Sequence, residues 1–143
     1  MRGKTREAWE TVESYARIFK HRFYLEVQRH GIPDQEKANV ELFKMSRDLG
    51  LPLVATNDCH YLMQGDAHSH EALLCVQTGK TLDDPNRFRF DGAGFYVKDK
   101  KEMLEVFSDH PEAVHNTLQV AERCNFVLET GNPVAMPWLD KVR

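Results

Sequence analysis

An aspartate and a histidine two positions apart, Asp58-Cys59-His60, close the apolar run Leu51-Pro52-Leu53-Val54-Ala55-Thr56-Asn57. If that run is a strand, its side chains alternate between faces. Asp58 and His60 then project together, with Cα atoms roughly 6.6 Å apart, and Cys59 points the other way. An ionised carboxylate and a neutral imidazole nitrogen aimed at one point suit a divalent ion of the zinc, manganese or magnesium type. In parallel α/β folds, the C-terminal end of a strand is where such chemistry gathers. Standing alone, a triplet of this kind reads more readily as a polar strand-to-loop turn, and its surroundings have to decide.

Other polar residues carry weaker suggestions. Glu26 sits in a β-rich stretch and could support a metal ligand from behind, or simply belong to a polar face. His30 precedes a Gly31 turn and is structural or lines the site. Lys80, Arg87 and Arg89, with Lys98, Lys100 and Lys101, give the second half a local basic bias. Phosphate contacts would suit the first three, a solvated face all of them. His68-Ser69-His70 looks metal-rich, but falls in the first turns of a helix, where positions i and i+2 diverge by about 200°. The two imidazoles cannot easily share one ion, and capping or a polar contact is the better reading.

The elements that would position these residues follow from periodicity. Ala8, Val12, Tyr15 and Phe19 recur at helical spacing. Phe23–Gln28 alternates and is rich in β-formers, which predicts a strand with Glu26 and Gln28 on one face. After Gly31-Ile32-Pro33, Asp34 is a candidate cap for a helix carrying Ala38, Leu42, Met45 and Leu49, with Gly50 at its stop. The strand ending at Asp58-Cys59-His60 comes next. The order α-β-α-β with short connections predicts a parallel βαβ unit. Leu51–Ala55 hardly alternates, as in a strand covered on both faces.

Further on, a helix is expected from about Asp66 to Gln77, carrying Leu73, Leu74 and Val76. Arg87–Phe90 and Phe95–Val97 flank Asp91-Gly92-Ala93-Gly94 as a hairpin or irregular loop. Asp99 with Glu102 forms a capping-box start. A last helix begins near Pro111, with Val114, Leu118 and Ala121 on one face. The tail from 130 holds Gly131, Pro133 and Pro137 and reads as irregular.

Composition narrows the class. With 143 residues, 41% hydrophobic and 29% charged, the chain is long enough for one ordinary domain or a piece of a larger one. A net charge of −3 excludes a global basic field for DNA binding. No apolar stretch approaches the ~20 residues of a membrane helix, and the basic start leads into no signal core, so a cytoplasmic location is expected. Cys59, Cys75 and Cys124 are odd in number and widely spaced, which argues against a disulfide framework or zinc knuckle. Cys75 and Cys124 read as buried, reduced core.

The run Leu53-Val54-Ala55-Thr56-Asn57-Asp58-Cys59-His60-Tyr61-Leu62 closely resembles the last metal-binding motif of PHP (polymerase and histidinol phosphatase) domains. More narrowly, it resembles the PHP domain of the alpha subunits of bacterial DNA polymerase III, the C-family replicative polymerases. Three further stretches resemble that family: Phe23–Gly31, His70–Pro85, and Pro111–Thr117 continuing through Ala121–Asn125. The resemblance covers nearly the whole chain, weakens after Glu129, and keeps the motifs in order. It implies a distorted (β/α) PHP-type barrel, of which this chain holds the closing βαβ unit, followed by a mostly helical connector toward the polymerase palm. The implied sections are 1–64, 65–129 and an irregular tail over 130–143.

By the same resemblance, Asp58 and His60 are metal ligands, and the parent is a DNA-directed DNA polymerase acting with DNA and other replicase subunits. Its PHP site would serve 3′→5′ exonuclease proofreading or a structural metal. The family's N-terminal His-x-His and middle ligands have no counterpart here, and neither do the palm carboxylates. The expectation is therefore a fragment that neither polymerises nor hydrolyses DNA by itself. Two other readings stay open at this point: a stand-alone PHP phosphoesterase of the histidinol phosphatase kind, and a metal-free interaction module.

Overall fold

A computed structural model describes residues 4–90, 92 and 94–128; the irregular tail expected over 130–143 lies outside them. Helix α1 spans Thr5–Phe19 and a 3₁₀ turn, Lys20–Arg22, leads into β1, Leu25–Val27. Helix α2 covers Pro33–Leu49 and β2 covers Leu53–Ala55. A second 3₁₀ turn, Gln64–Asp66, opens α3, Ala67–Thr78, and two more helices follow, α4 over Lys100–Val106 and α5 over Pro111–Arg123.

The strands pair in parallel, with Leu25 opposite Leu53, Glu26 opposite Val54 and Val27 opposite Ala55. This is the expected βαβ unit, with α2 as its crossover. Among the described residues the chain is mixed α/β, with five helices and one two-stranded sheet, and it is not a closed barrel. Both strands are shorter than their β-rich sequences, because pairing rather than propensity sets their length. The last ladder bond runs from Thr56 N–H to the Val27 carbonyl at 3.1 Å.

One face of the sheet carries the core. Leu25, Val27, Leu53 and Ala55 are buried, together with Met45 of α2, Phe107, and Ala113 and Val114 of α5. The opposite face bears exposed Glu26 and half-buried Val54, so the strand expected to be covered on both faces is fully covered on one. Residues before 64 and after 65 thus share one core. Asn116 of α5 donates its amide to the Leu53 carbonyl at 2.8 Å, fixing that helix to β2. Helix α1 packs through Ala8, Trp9 and Val12, whereas Tyr15 and Phe19, expected on the same face, are largely exposed.

Local signals held where they were most specific. Gly50 takes φ +64° at the end of α2, a left-handed stop that a β-carbon would strain. Asp99 accepts from the Glu102 N–H at 2.8 Å while Glu102 accepts from the Asp99 N–H at 2.8 Å, completing the capping box. Asp34 is not the cap of α2: Ile32 holds that position and Pro33 starts the helix, as proline's fixed φ allows. Cys124 is exposed rather than core, because α5 has ended before it, while Cys75 is buried. Leu73 and Val76 of α3 are also exposed.

Candidate functional site

Asp58 and His60 lie just beyond β2, in irregular backbone. The expected strand does not reach them. Past Thr56 the ladder is replaced: the Asp58 N–H donates to Nε2 of His30 at 3.3 Å, and the His60 N–H donates to the Phe95 carbonyl at 2.7 Å. Asn57 donates to the Tyr96 carbonyl at 2.6 Å, and Tyr61 bridges Tyr96 in parallel. Arg87–Phe90 and Phe95–Val97, expected to flank a hairpin or an irregular loop, pair in no ladder with each other among the described residues, and Phe95–Val97 supports the loop carrying the site.

That support brings the two side chains together. His60 Nε2 lies 3.1 Å from Asp58 Oδ1, with both side chains partly open to solvent. Among the described residues Cys59 makes only weak sulfur contacts, with Asn57 and with the Tyr96 carbonyl, and it is exposed.

His30 is 7% exposed, and its ring lies on Phe95 with 4.4 Å between centroids and 5° between planes. Its Nδ1 faces the Gln35 amide at 3.1–3.3 Å, and Gln35 Oε1 also accepts the His30 N–H at 2.8 Å. His30 therefore lines the site from below and holds the Asp58 backbone. Glu26 accepts from the Thr56 hydroxyl, which in turn accepts from Gln28 at 3.0 Å. No hydrogen bond among the described residues joins Glu26 to Asp58 or His60.

The site's third wall is aromatic, and nothing in the spacing had pointed to it. Phe90 packs on His60 at 4.4 Å and on Phe95 at 4.8 Å, and His70 of α3 lies 5.4 Å from His60. The phenylalanines of Phe88-Arg89-Phe90 and Phe95 were the only hint, since clustered aromatics in an irregular stretch often pack on something. His70 thus joins the His60 neighbourhood, while His68 is exposed on the same helix. Lys98 donates to Gly94 and to Asn57 Oδ1 (3.2 Å), and burial lowers its pKa from the ordinary lysine value.

Of the candidate phosphate contacts, Lys80 pairs with Asp84 at 2.9 Å, Arg87 pairs with Glu71 at 3.0 Å, and Arg89 is exposed. Lys80 and a backbone bond from Asn86 hold the Asp84 carboxyl below its usual range.

A divalent ion needs three protein ligands at a catalytic zinc site and four at a structural one. Among the described residues no group of three or more His, Cys, Asp and Glu is placed to hold an ion. Asp58 and His60 supply two donors and no third converges among the described residues, so the two do not make a complete metal site by themselves. No hydrolytic step is assigned to them.

No protein-family model matches the chain. Curated relatives do. The chain is 43% identical over 119 residues to the DNA polymerase III subunit alpha of Campylobacter jejuni, a match covering 83% of the chain and 10% of that protein. It is 44% identical over 133 residues to the Mycobacterium tuberculosis subunit, covering 92% and 11%. It is 47% identical over 119 residues to that of Saccharopolyspora erythraea, covering 82% and 10%. The chain spans about a tenth of the length of these relatives. Identity at this level over four-fifths or more of the chain places it in the family of DNA polymerase III alpha subunits, of which it represents one segment.

Proposed function

We propose that the chain is the part of a replicative DNA polymerase alpha subunit that carries the last metal motif of a PHP domain. Residues 1–64 close that domain and 65–129 lead toward the polymerase palm. The parent protein is a DNA-directed DNA polymerase, a nucleotidyltransferase of DNA replication that works on DNA with other replicase subunits. The observation that carries this reading is the 42–47% identity to alpha subunits over most of the chain.

Within that reading, Asp58 and His60 are two ligands of a divalent ion whose remaining ligands come from the rest of the parent. Their contact at 3.1 Å supports it, since two groups that must meet one ion have to be held as neighbours. His30 fits a supporting role, because it fixes the backbone that presents Asp58. The ion serves either 3′→5′ exonuclease proofreading or the structure of the PHP domain. A phosphate contact from this chain falls to Arg89, since Lys80 and Arg87 already hold acidic partners.

A chimaera tests both levels. Residues 4–128 replace the matching segment of the Saccharopolyspora erythraea subunit, and primer extension and bound metal are measured. Retained extension, with bound metal that falls by about one ion per chain in the D58A/H60A variant, is the expected result. A folded chimaera that cannot extend a primer overturns the segment assignment. Extension with metal content unchanged in D58A/H60A overturns the ligand assignment alone.

A further inference from the structure

Beside His60, and outside the Asp58–His60 pair, a cavity of about 190 Å³ opens between Tyr61, the start of α3 and Phe90. Its lining includes Tyr61, His68, His70, Glu71, Leu74 and Phe90. One wall is a flat aromatic ring and the others carry donors and an acceptor. The Tyr61 hydroxyl is buried and has no hydrogen-bond partner among the described residues. A buried hydroxyl left without a partner is costly, and a ligand atom would relieve it. Next to Phe90, Phe88 is 58% exposed and meets it edge-on at 5.6 Å, with exposed Arg89 between the two in sequence.

We infer that this cavity receives one unstacked base of single-stranded DNA, stacked on Phe90 and hydrogen-bonded to the Tyr61 hydroxyl, with Arg89 on the adjoining backbone phosphate. The volume admits a single nucleobase but not a base pair. Aromatic faces take any base, and an arginine at the rim supplies the charge that tracks the strand. Glu71 is held by Arg87 and Lys80 by Asp84, so among the described residues Arg89 is the one cation of the three sequence candidates without an acidic partner. The inference rests on the reading of the parent as an enzyme acting on DNA, but it needs no metal ion.

The full 143-residue chain is titrated into a fluorescein-labelled ten-residue oligothymidylate in EDTA, and anisotropy is followed. Expected are binding of the single strand in preference to the same length of duplex, and a shallow salt dependence with a log–log slope of about −0.7, as one phosphate contact gives. Phe90→Leu weakens binding roughly tenfold, as a lost stacking partner does. Tyr61→Phe, which removes a single oxygen, weakens it several-fold, and circular dichroism confirms that both variants stay folded. No binding by the wild type, equal affinity for duplex, or affinities that both variants leave within twofold of wild type would overturn the inference. Because EDTA is present, these outcomes are independent of the D58A/H60A metal test, and either reading can fail without the other.

Discussion

Arg29 and Asp109 stand eighty positions apart and are joined by two hydrogen bonds, Nη1 to Oδ1 at 2.6 Å and Nη2 to Oδ2 at 2.8 Å. The same guanidinium donates to the Val106 carbonyl at 2.9 Å and lies over the rings of Phe43 and Phe107, 5.6 and 5.1 Å from their centroids. A planar fork of five donors does all this at once, which an ammonium could not. The pair ties the end of β1 to the turn after α4.

The Arg29 guanidinium holds the Asp109 carboxyl down at about 2, against an ordinary value of 3.8. A depressed carboxyl stabilises the fold above its unfolded pKa, and that contribution is lost as pH falls from about 4 toward 2. The Asp109 side chain is 54% exposed, so solvent screening reduces the contribution to about 1 kcal/mol. Asp109→Asn should cost about that much at pH 7, and urea midpoints of the two proteins should converge as pH is lowered through this window. A gap that persists unchanged at pH 2 would contradict the assignment.

His30 accepts from the Asp58 N–H through Nε2, which requires its proton on Nδ1, facing Gln35 Oε1. Nitrogen-15 spectra of the imidazole should therefore show the Nδ1-protonated neutral tautomer. Gln35→Leu should release that preference and broaden the Asp58 amide resonance. An Nε2-protonated ring in the wild type would remove His30 from the supporting role given to it.

Phe107 is fully buried against the sheet and beneath Arg29. Phe107→Ala should destabilise the fold by about 3–5 kcal/mol, from lost transfer energy and a residual cavity. Equilibrium urea denaturation measures it, and a loss under about 1 kcal/mol would mean the core can collapse into the space.

The 143-residue chain, with two converging donors, should bind zinc only weakly, and His60→Ala should abolish the heat of binding in a calorimetric titration. Tight binding that survives both Asp58→Ala and His60→Ala would place the ion elsewhere.

Signals confined to a few neighbouring residues were legible in the sequence. The frame of Ala38, Leu42, Met45 and Leu49 located α2, Gly50 marked its end, and Asp99 with Glu102 marked the start of α4. Strand ends were less legible, because they depend on a partner: β2 stops at Ala55 since His30, not a ladder carbonyl, meets the Asp58 N–H. The closeness of Asp58 and His60 was anticipated, but it arises from Phe95 and Tyr96 gripping the loop rather than from strand alternation. Phe90 and Phe95 reach His60 from 30 and 35 positions away, and no local pattern specifies such contacts.

The placement of α5 on β2 has a consequence for synthesis. Leu53 and Ala55 are translated long before Ala113, Val114 and Asn116, which cover them. At ~5–20 residues per second, several seconds separate the two on the ribosome. During that interval β2 and the apolar stripe of α2 have no lid, and they are open to chaperones or to strands from neighbouring nascent chains. The core therefore closes late, and a stop codon anywhere before Pro111 would leave a nascent chain unable to bury its own sheet.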